Sequence, residues 1–334
     1  MATQTRLLAY ITNAQDNSAP PSGKGSVIPV DMAAGKPLHP IEVFDGTNAI
    51  IVKRDGAVAF VTNECSNSPK GSVTRVDLAT GEVGEPIPVG SEPVDIEFVP
   101  RTGETWAWVA NYGDQTVTTV NLATGEVGQT ISVPEAGPNT VAFTPDGGTC
   151  YVANWGTDDH AGSTVTLVQV TEGGASGSVL SSIAVGNNPN WVAITRDGAT
   201  AYVANKGSNS ITPIDVSSNT AGAEIPMPGP PIQMEIAPDG KLAYIAIAGS
   251  SIDAVVPMDL VGTPGTVGPP IALASKSQPH WIAFTPDGTT AYVVGNGDST
   301  LTPITVASGT PGTPIQVSTD PAADILDIKI VATR

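Results

Sequence analysis

Two glutamates stand where a repeated strand pattern otherwise carries small or apolar residues. Glu97 and Glu235 each follow a proline by four positions. The equivalent residues in four other copies are Ala142, Ala193, Ala283 and Ile51. A carboxyl group withdrawn from water has a raised pKa that suits general acid or base catalysis, and a neighbour such as Asp95 raises it further. We predict these three acids as catalytic, although they could instead hold an amine or a hard metal ion, point into water or cap backbone amides.

A histidine and two tryptophans occur in the same strand pattern. His280 directly follows its proline, whereas Trp281 and Trp191 stand two positions after theirs. The ordinary pKa of histidine makes His280 a candidate general acid or base, and indole rings can form the apolar walls of a binding site. The alternative is that both tryptophans fill space between repeats. We predict His280 as catalytic and the tryptophans as substrate-binding.

Five further side chains are predicted to contact a substrate. Asn139 and Asn190 occupy the register of His280, and Gln233 occupies that of the tryptophans. Trp155 and Tyr112 each follow a strand in a loop, where an aromatic ring could cover the mouth of a channel. The two asparagines could donate hydrogen bonds to a ligand, or could instead terminate turns.

These residues belong to a repeat that fills the chain. An aromatic residue followed by β-branched or small residues recurs at Tyr10, Phe60, Trp108, Tyr151, Tyr202, Tyr244 and Tyr292, at intervals of 42 to 51 residues. Intervals of this size are typical of units of four short strands. Turns such as Thr195-Arg196-Asp197-Gly198 join the first strand to the second, because Asp-Gly supplies the positive φ that a tight turn needs.

Seven antiparallel units of equal length close most naturally into a ring, because a ring leaves only short sheet edges. We therefore predict an all-β, seven-bladed β-propeller formed by residues 1–334 as one domain, with the strand at about 325–331 completing the first blade. In such blades the longer, chemically varied loops share one face. Rigid scaffolds present binding residues on such loops, so the site is expected there.

The repeated strands also resemble a known family. Tyr151-Val152-Ala153-Asn154, with the turns Thr144-Pro145-Asp146-Gly147 and Thr285-Pro286-Asp287-Gly288, is similar to YVTN-type seven-bladed propeller repeats and to lactonase-type propellers. The resemblance covers essentially the full chain. It implies the propeller architecture, and a function in surface layers, in binding or in catalysis.

The composition excludes several classes of protein. Acidic residues outnumber basic ones by 32 to 14, giving a net charge of −18, and no basic stripe would attract a nucleic acid. No apolar run approaches the ~20 residues of a membrane helix, and no signal peptide is visible. We expect a soluble, cytoplasmic chain without a membrane partner, and its two cysteines, Cys65 and Cys150, fit a reducing compartment.

No motif indicates a cofactor. The chain lacks a phosphate-cradling glycine loop, a Gly-x-Ser-x-Gly elbow, a His-Glu-x-x-His pair and paired cysteine ligands. The residues Asp158-Asp159-His160 are of metal-binding types, but adjacent ligands converge poorly, which favours a solvated loop. We predict a cofactor-independent site and leave a divalent metal bound by the strand acids as an alternative.

These observations favour a small-molecule enzyme with its site at the loop-rich mouth of the channel. Acid/base chemistry without a cofactor suits a lyase, cyclase, isomerase or lactone hydrolase, and aromatic and acidic groups together favour an apolar or amine-bearing substrate. The alternative is a non-catalytic propeller that binds a ligand or a protein partner. Convergence of the predicted residues on one concave pocket favours the enzyme, whereas a flat rim favours the binding module.

Overall fold

The repeat folds into seven antiparallel sheets that surround a central channel. In this computed structural model the described residues are 6–14, 25–64, 70–133, 137–157, 160–249, 251–261, 265–320 and 323–333. Each innermost strand contacts the innermost strand of the next sheet, and the seventh contacts the first, so the ring is closed. The predicted seven-bladed propeller is confirmed.

Each blade runs from an innermost strand at the channel to an outer edge at the surface. The innermost strands of blades 1 to 7 are β32 (Ile325–Thr333), β5 (Thr47–Val52), β9 (Pro93–Phe98), β13 (Pro138–Phe143), β17 (Pro189–Ile194), β22 (Pro231–Ile236) and β27 (Pro279–Phe284). The second strands are β1 (Arg6–Asn13), β6 (Val58–Asn63), β10 (Trp106–Asn111), β14 (Thr149–Thr157), β18 (Thr200–Asn205), β23 (Leu242–Gly249) and β28 (Thr290–Gly295). The third strands are β2 (Ser26–Asp31), β7 (Ser72–Asp77), β11 (Thr116–Asn121), β15 (His160–Thr171), β19 (Ser210–Asp215), β24 (Ile252–Asp259) and β29 (Thr300–Thr305).

The outer edge differs between blades. Long outer strands are β12 (Glu126–Ser132) in blade 3 and β16 (Ser176–Ala184) in blade 4. The outer segments of the other blades are short: β3 (Lys36–Pro37), β4 (Ile41–Glu42), β8 (Ile87–Pro88), β20 (Thr220–Ala221), β21 (Ile225–Pro226), β25 (Thr266–Val267), β26 (Ile271–Ala272), β30 (Thr310–Pro311) and β31 (Ile315–Gln316). The described residues also include a 3₁₀ turn at Glu172–Gly174, and none of them forms a helix long and apolar enough to cross a membrane.

The turns at the base of the blades follow from their sequence. In the turn between β17 and β18, Gly198 has a φ of 71°, and Asp197 Oδ1 accepts hydrogen bonds from the Thr195 hydroxyl at 2.6 Å and the Ala199 N–H at 3.0 Å. These bonds lower the pKa of Asp197 because they favour the charged carboxylate. Part of the net negative charge of the chain is therefore committed to turn formation.

The core of the described chain consists of seven apolar clusters, each lying between two neighbouring blades. Tyr10 and Val27 of blade 1, for example, pack with Ile50 and Val61 of blade 2. The aromatic residue of each second strand is buried or half-buried in such a layer. Because successive side chains of a strand point to opposite faces of the sheet, each blade presents one set of apolar side chains to the blade before it and another set to the blade after it.

The two ends of the chain close the ring. β32 pairs with β1 in antiparallel register, with Tyr10 opposite Lys329 and Ile11 opposite Ile328. The pairing predicted from the C-terminal alternation is therefore observed, and the strand continues to Thr333. The Ala14 N–H also donates to the Asp324 carbonyl oxygen at 2.9 Å, which extends the junction into the loops.

Removing one buried side chain tests the contribution of this closing strand. Ile328 is 1% exposed and packs against blade 7, so Ile328→Ala should lower the unfolding free energy by about 2–5 kcal/mol. The matched variant Ile330→Ala, at a half-buried position of the same strand, should lose less. Urea unfolding measures both, and an unchanged midpoint for Ile328→Ala would show that β32 lies outside the cooperative unit.

Candidate active site

The innermost strands are joined to one another by side-chain hydrogen bonds. In three described cases, the third residue of an innermost strand is buried, and its side-chain oxygen accepts a hydrogen bond from a backbone N–H of the neighbouring blade. The pairs are Ile50 N to Asp327 Oδ2 (2.9 Å), Val141 N to Asp95 Oδ2 (2.9 Å) and Ile282 N to Gln233 Oε1 (3.2 Å). Asp95 and Gln233, predicted as site residues, are therefore engaged between blades, where they are 5% and 0% exposed.

The two predicted asparagines also bond across blades. Asn139 Nδ2 and the Thr140 hydroxyl both donate to the Asn190 carbonyl oxygen at 2.8 Å. Asn190 Nδ2 in turn donates to the Ile232 carbonyl oxygen of the next blade. Their amide groups thus connect strands as well as bordering the site described below.

Glu97 and Glu235 lie deeper in the channel, around a lysine that the sequence analysis missed. Lys329 of β32 occupies the register of the two glutamates, and its Nζ lies 3.8 Å from Asp327 Oδ1. Burial lowers the pKa of Lys329, but the surrounding carboxylates outweigh this effect and raise it, so the ammonium stays charged. Alignment of the closing strand with the other innermost strands would have revealed both Asp327 and Lys329.

The acids of this channel cluster have raised pKa values. Burial raises the pKa of Asp95 to about 8 and that of Glu235 to about 7, and it also raises the pKa values of Glu97 and Asp327. Lys329 opposes each of these shifts by attraction. The acids of the cluster can therefore exchange protons near neutral pH, which is the property predicted for them. The cluster itself lies inside the ring formed by the innermost strands.

A cavity of about 450 Å³ opens above this cluster. It lies at the mouth formed by the longer loops, the face expected from the sequence. The predicted residues that line it are Asn139, Asn190, Trp191, His280 and Trp281. Further lining residues, not predicted from the sequence, include Asn48, Glu64, Val94, Asp324 and Leu326. The cavity lining lacks Glu97, Glu235, Asp95 and Gln233, so the predicted set divides between the cavity and the deeper cluster.

The two tryptophans lie both in the apolar core and in the lining of the cavity. The rings of Trp191 and Trp281 meet edge to face with centroids 4.8 Å apart, and both also pack in the apolar layers between blades. Their positions are therefore fixed by the core. The same rings give the cavity a rigid apolar wall.

His280 is a neutral base facing the cavity. Burial lowers the pKa of its imidazole to about 4, although the Asp324 carboxylate and a hydrogen bond to the Leu326 backbone act in the opposite direction. Nδ1 is buried and has no hydrogen-bond partner among the described residues. The neutral imidazole borders the cavity in the form that can accept a proton.

Glu64 supplies a carboxyl group on the blade 2 side of the cavity. Burial raises its pKa, as do Glu92 and Asp324 by repulsion, whereas a 3.3 Å hydrogen bond from Asn48 Nδ2 lowers it. Glu64 directly follows the asparagine that ends a second strand. The corresponding residues in the other six blades are Ala14, Tyr112, Trp155, Lys206, Ala248 and Asn296. This chemically varied ring position is a sequence signal that would have pointed to Glu64.

The predicted aromatic cover lies to one side of the cavity. Trp155 stacks with Lys206, whose Nζ is 5.0 Å from the ring centroid, and neither Trp155 nor Tyr112 lines the cavity. Beyond Trp155, His160 is exposed, while Asp158 and Asp159 lie outside the described residues, as does Cys65. Within the described part of the chain, no three His, Cys, Asp or Glu side chains are grouped closely enough to bind a metal.

Substitutions at Asp95 should distinguish the effect of its charge on stability from the effect of its hydrogen bond. The raised pKa means that the protonated carboxyl favours the native state, and this stabilisation is lost as the pH rises through about 8. Asp95→Asn keeps an acceptor for Val141 N without the charge, so its unfolding free energy should fall less between pH 5 and 8 than that of the wild type. Thermal unfolding across this range measures the difference.

Asp95→Ala is the matched variant for the hydrogen bond. It leaves the buried Val141 N–H without a partner, which should cost about 1–3 kcal/mol at every pH. Parallel pH profiles for the wild type and Asp95→Asn would contradict the assigned protonation.

Comparison with known proteins places this architecture among lactonases. The sequence profile of the family described as "Lactonase, 7-bladed beta-propeller" matches residues 149–320. This match supports the lactonase-type part of the resemblance seen in the sequence, and the YVTN-type name stays a prediction. No curated protein sequence matches the chain.

Solved structures share the fold at low sequence identity. The periplasmic gluconolactonase PpgL of Pseudomonas aeruginosa is 17% identical with a TM-score of 0.75, covering 98% of this chain and 100% of its own. A proposed 6-phosphogluconolactonase of Bacteroides uniformis is 14% identical with a TM-score of 0.75, covering 98% and 100%. Kuenenia stuttgartiensis hydrazine synthase is 18% identical with a TM-score of 0.68, covering 85% and 94%. Because their names describe different chemistries, the shared fold alone does not define the reaction.

Proposed function

Because the chain belongs to the family of seven-bladed β-propeller lactonases, we propose that it hydrolyses a lactone in the cavity lined by His280 and Glu64. Lactone hydrolysis was one of four reaction types predicted from the sequence, and it is the one that the family supports. The observation that carries the proposal is a neutral histidine in a concave, loop-bordered cavity, with an Nδ1 that no described residue bonds. A flat rim would have favoured a binding module.

His280 acts as the general base. The neutral imidazole accepts a proton from a water molecule in the cavity, and the resulting hydroxide attacks the lactone carbonyl carbon. Imidazolium forms in this step, and Asp324 stabilises it, since this carboxylate raises the pKa of His280. The hydrogen bond to the Leu326 backbone holds the ring in place, as a second group does for the histidine of other hydrolytic sites.

Glu64 acts as the general acid. Collapse of the tetrahedral intermediate breaks the bond between the carbonyl carbon and the ring oxygen, and the Glu64 carboxyl group donates its proton to that oxygen. The products are a hydroxy acid, the Glu64 carboxylate and protonated His280, and return of the proton to Glu64 restores the site. Burial raises the pKa of one group and lowers that of the other, which is the pattern of an acid and base pair.

The remaining predicted residues support this pair. Trp191 and Trp281 hold the apolar side of the lactone, while Asn139 and Asn190 fix neighbouring strands at the edge of the cavity. Glu97, Glu235 and Asp95 are assigned to the channel cluster around Lys329, where they set the spacing and charge beneath the site. This assignment moves the catalytic role from the strand acids to Glu64.

Replacement of His280 tests the base. His280→Gln should lower kcat about 100-fold or more, the contribution typical of general base catalysis. In the wild type, activity should fall as the pH drops through about 4, because His280 becomes protonated. This acidic limb of the pH–activity profile should be absent in the variant. Initial rates with glucono-δ-lactone, corrected for spontaneous hydrolysis, measure both effects.

The exposed His160 provides the matched control, and His160→Gln should hydrolyse the lactone at the wild-type rate. Equal rates for His280→Gln and the wild type would remove the proposed base. No hydrolysis above the spontaneous rate by the wild type with any lactone would favour the binding module.

Replacement of Glu64 tests the acid. Glu64→Gln retains polar contact with Asn48 but cannot donate a proton, so kcat should fall about 100-fold or more. Because the acid must be protonated, wild-type activity should decline as the pH rises above the raised pKa of Glu64, and the variant should lose this alkaline limb. The exposed Glu126→Gln serves as the control, and an unchanged pH profile in Glu64→Gln would contradict the role.

A further inference from the structure

Resting on the proposed lactonase function, we propose that the cavity selects lactones without an anionic substituent and excludes phosphorylated ones. Neutral hydroxylated lactones and amine-bearing lactones form the accepted class. The inference comes from the charges placed around the cavity and from the chemistry of its lining.

The carboxyl groups that line the cavity belong to Asp324 and Glu64. Asp324 contributes a carboxylate, Glu64 is neutral in the active form and becomes negative when it ionises, and His280 is uncharged near neutral pH. Glu92 lies close enough to raise the pKa of Glu64 by repulsion, which extends the negative region outward. A phosphate dianion entering this region would meet like charge at short range, where a site of low dielectric strengthens the repulsion.

The lysines near the cavity have other partners. Lys206 lies over the ring of Trp155 and is absent from the cavity lining, and burial lowers its pKa, but its charge reaches far enough to lower the pKa of His280. Lys329 lies below, among the carboxylates of the channel cluster. Among the described residues, no arginine or lysine lines the cavity, although phosphate recognition commonly relies on such donors.

The lining instead offers acceptors and an apolar wall. The carboxyl oxygens of Glu64 and Asp324 can accept hydrogen bonds from hydroxyl or ammonium groups, and Asn48 adds an amide. The tryptophan pair can pack against the C–H face of a ring. These groups suit a sugar-like or amine-bearing lactone.

The same charges assist release of the product. Hydrolysis converts a neutral lactone into a hydroxy acid, whose new carboxylate is repelled by Asp324 once the proton on His280 has returned to Glu64. Product inhibition by the carboxylate should therefore be weak. A site that binds phosphate would attract anions, so it would not bind the carboxylate product more weakly than the neutral lactone.

The test compares glucono-δ-lactone with its 6-phosphate on the wild-type protein. We expect kcat/KM to be at least 100-fold higher for the unphosphorylated lactone at low ionic strength. The ratio should decrease as salt screens the repulsion. Equal values, or preference for the phosphorylated lactone, would overturn this inference and leave the lactonase function intact, whereas hydrolysis of neither would overturn both.

The variant Asp324→Asn tests whether the charge of Asp324 causes the preference for the unphosphorylated lactone. The amide introduced by this substitution would still present an oxygen to Asn296, which donates to Asp324 Oδ1, so the loop contact is retained while one charge is lost. Relative kcat/KM for the phosphorylated lactone should rise about tenfold. Asp55→Asn, in an exposed turn on the opposite face of the ring, should leave the ratio unchanged, and the same ratio in Asp324→Asn as in the wild type would contradict the electrostatic origin.

Discussion

The antiparallel pairing of β32 with β1 is the constraint on which the rest of the structure depends. It converts a linear series of strand repeats into a closed ring, so that every apolar layer lies between two blades. It also brings Asp324 and Leu326, from the end of the chain, beside His280. The electrostatic environment of the proposed base is thus a consequence of ring closure.

Closure produces two different polar layers along the axis. The upper layer is the cavity, where one imidazole nitrogen has no partner in the described part of the protein. The lower layer surrounds Lys329, whose charge compensates part of the charge of the buried acids. Because Asp95 and Asp327 also bond to backbone N–H groups of neighbouring blades, the lower layer fixes the strand positions from which the cavity residues project.

Most of the fold could be predicted from the sequence because the repeat is local and periodic. The recurring aromatic strands and Asp-Gly turns define the blades, and the alternating segment near residue 325 indicates how the ring closes. His280 and the two tryptophans, which line the cavity, could be singled out because their residue types differ from those of most other strands in a known register. Comparison of the residues that follow the second strands would have marked Glu64, but both Glu64 and Asp324 lie in loops, where no periodicity reveals side-chain direction. Lys329 lies in a closing strand that lacks the proline used for alignment.

The protonation state of His280 tests the central claim most directly. The chain has three histidines, so ¹⁵N-detected NMR of the imidazoles, with His280→Gln for assignment, can follow this group alone. We predict a neutral ring at pH 6, with a pKa of about 4. A doubly protonated ring at pH 6 would contradict the proposed base.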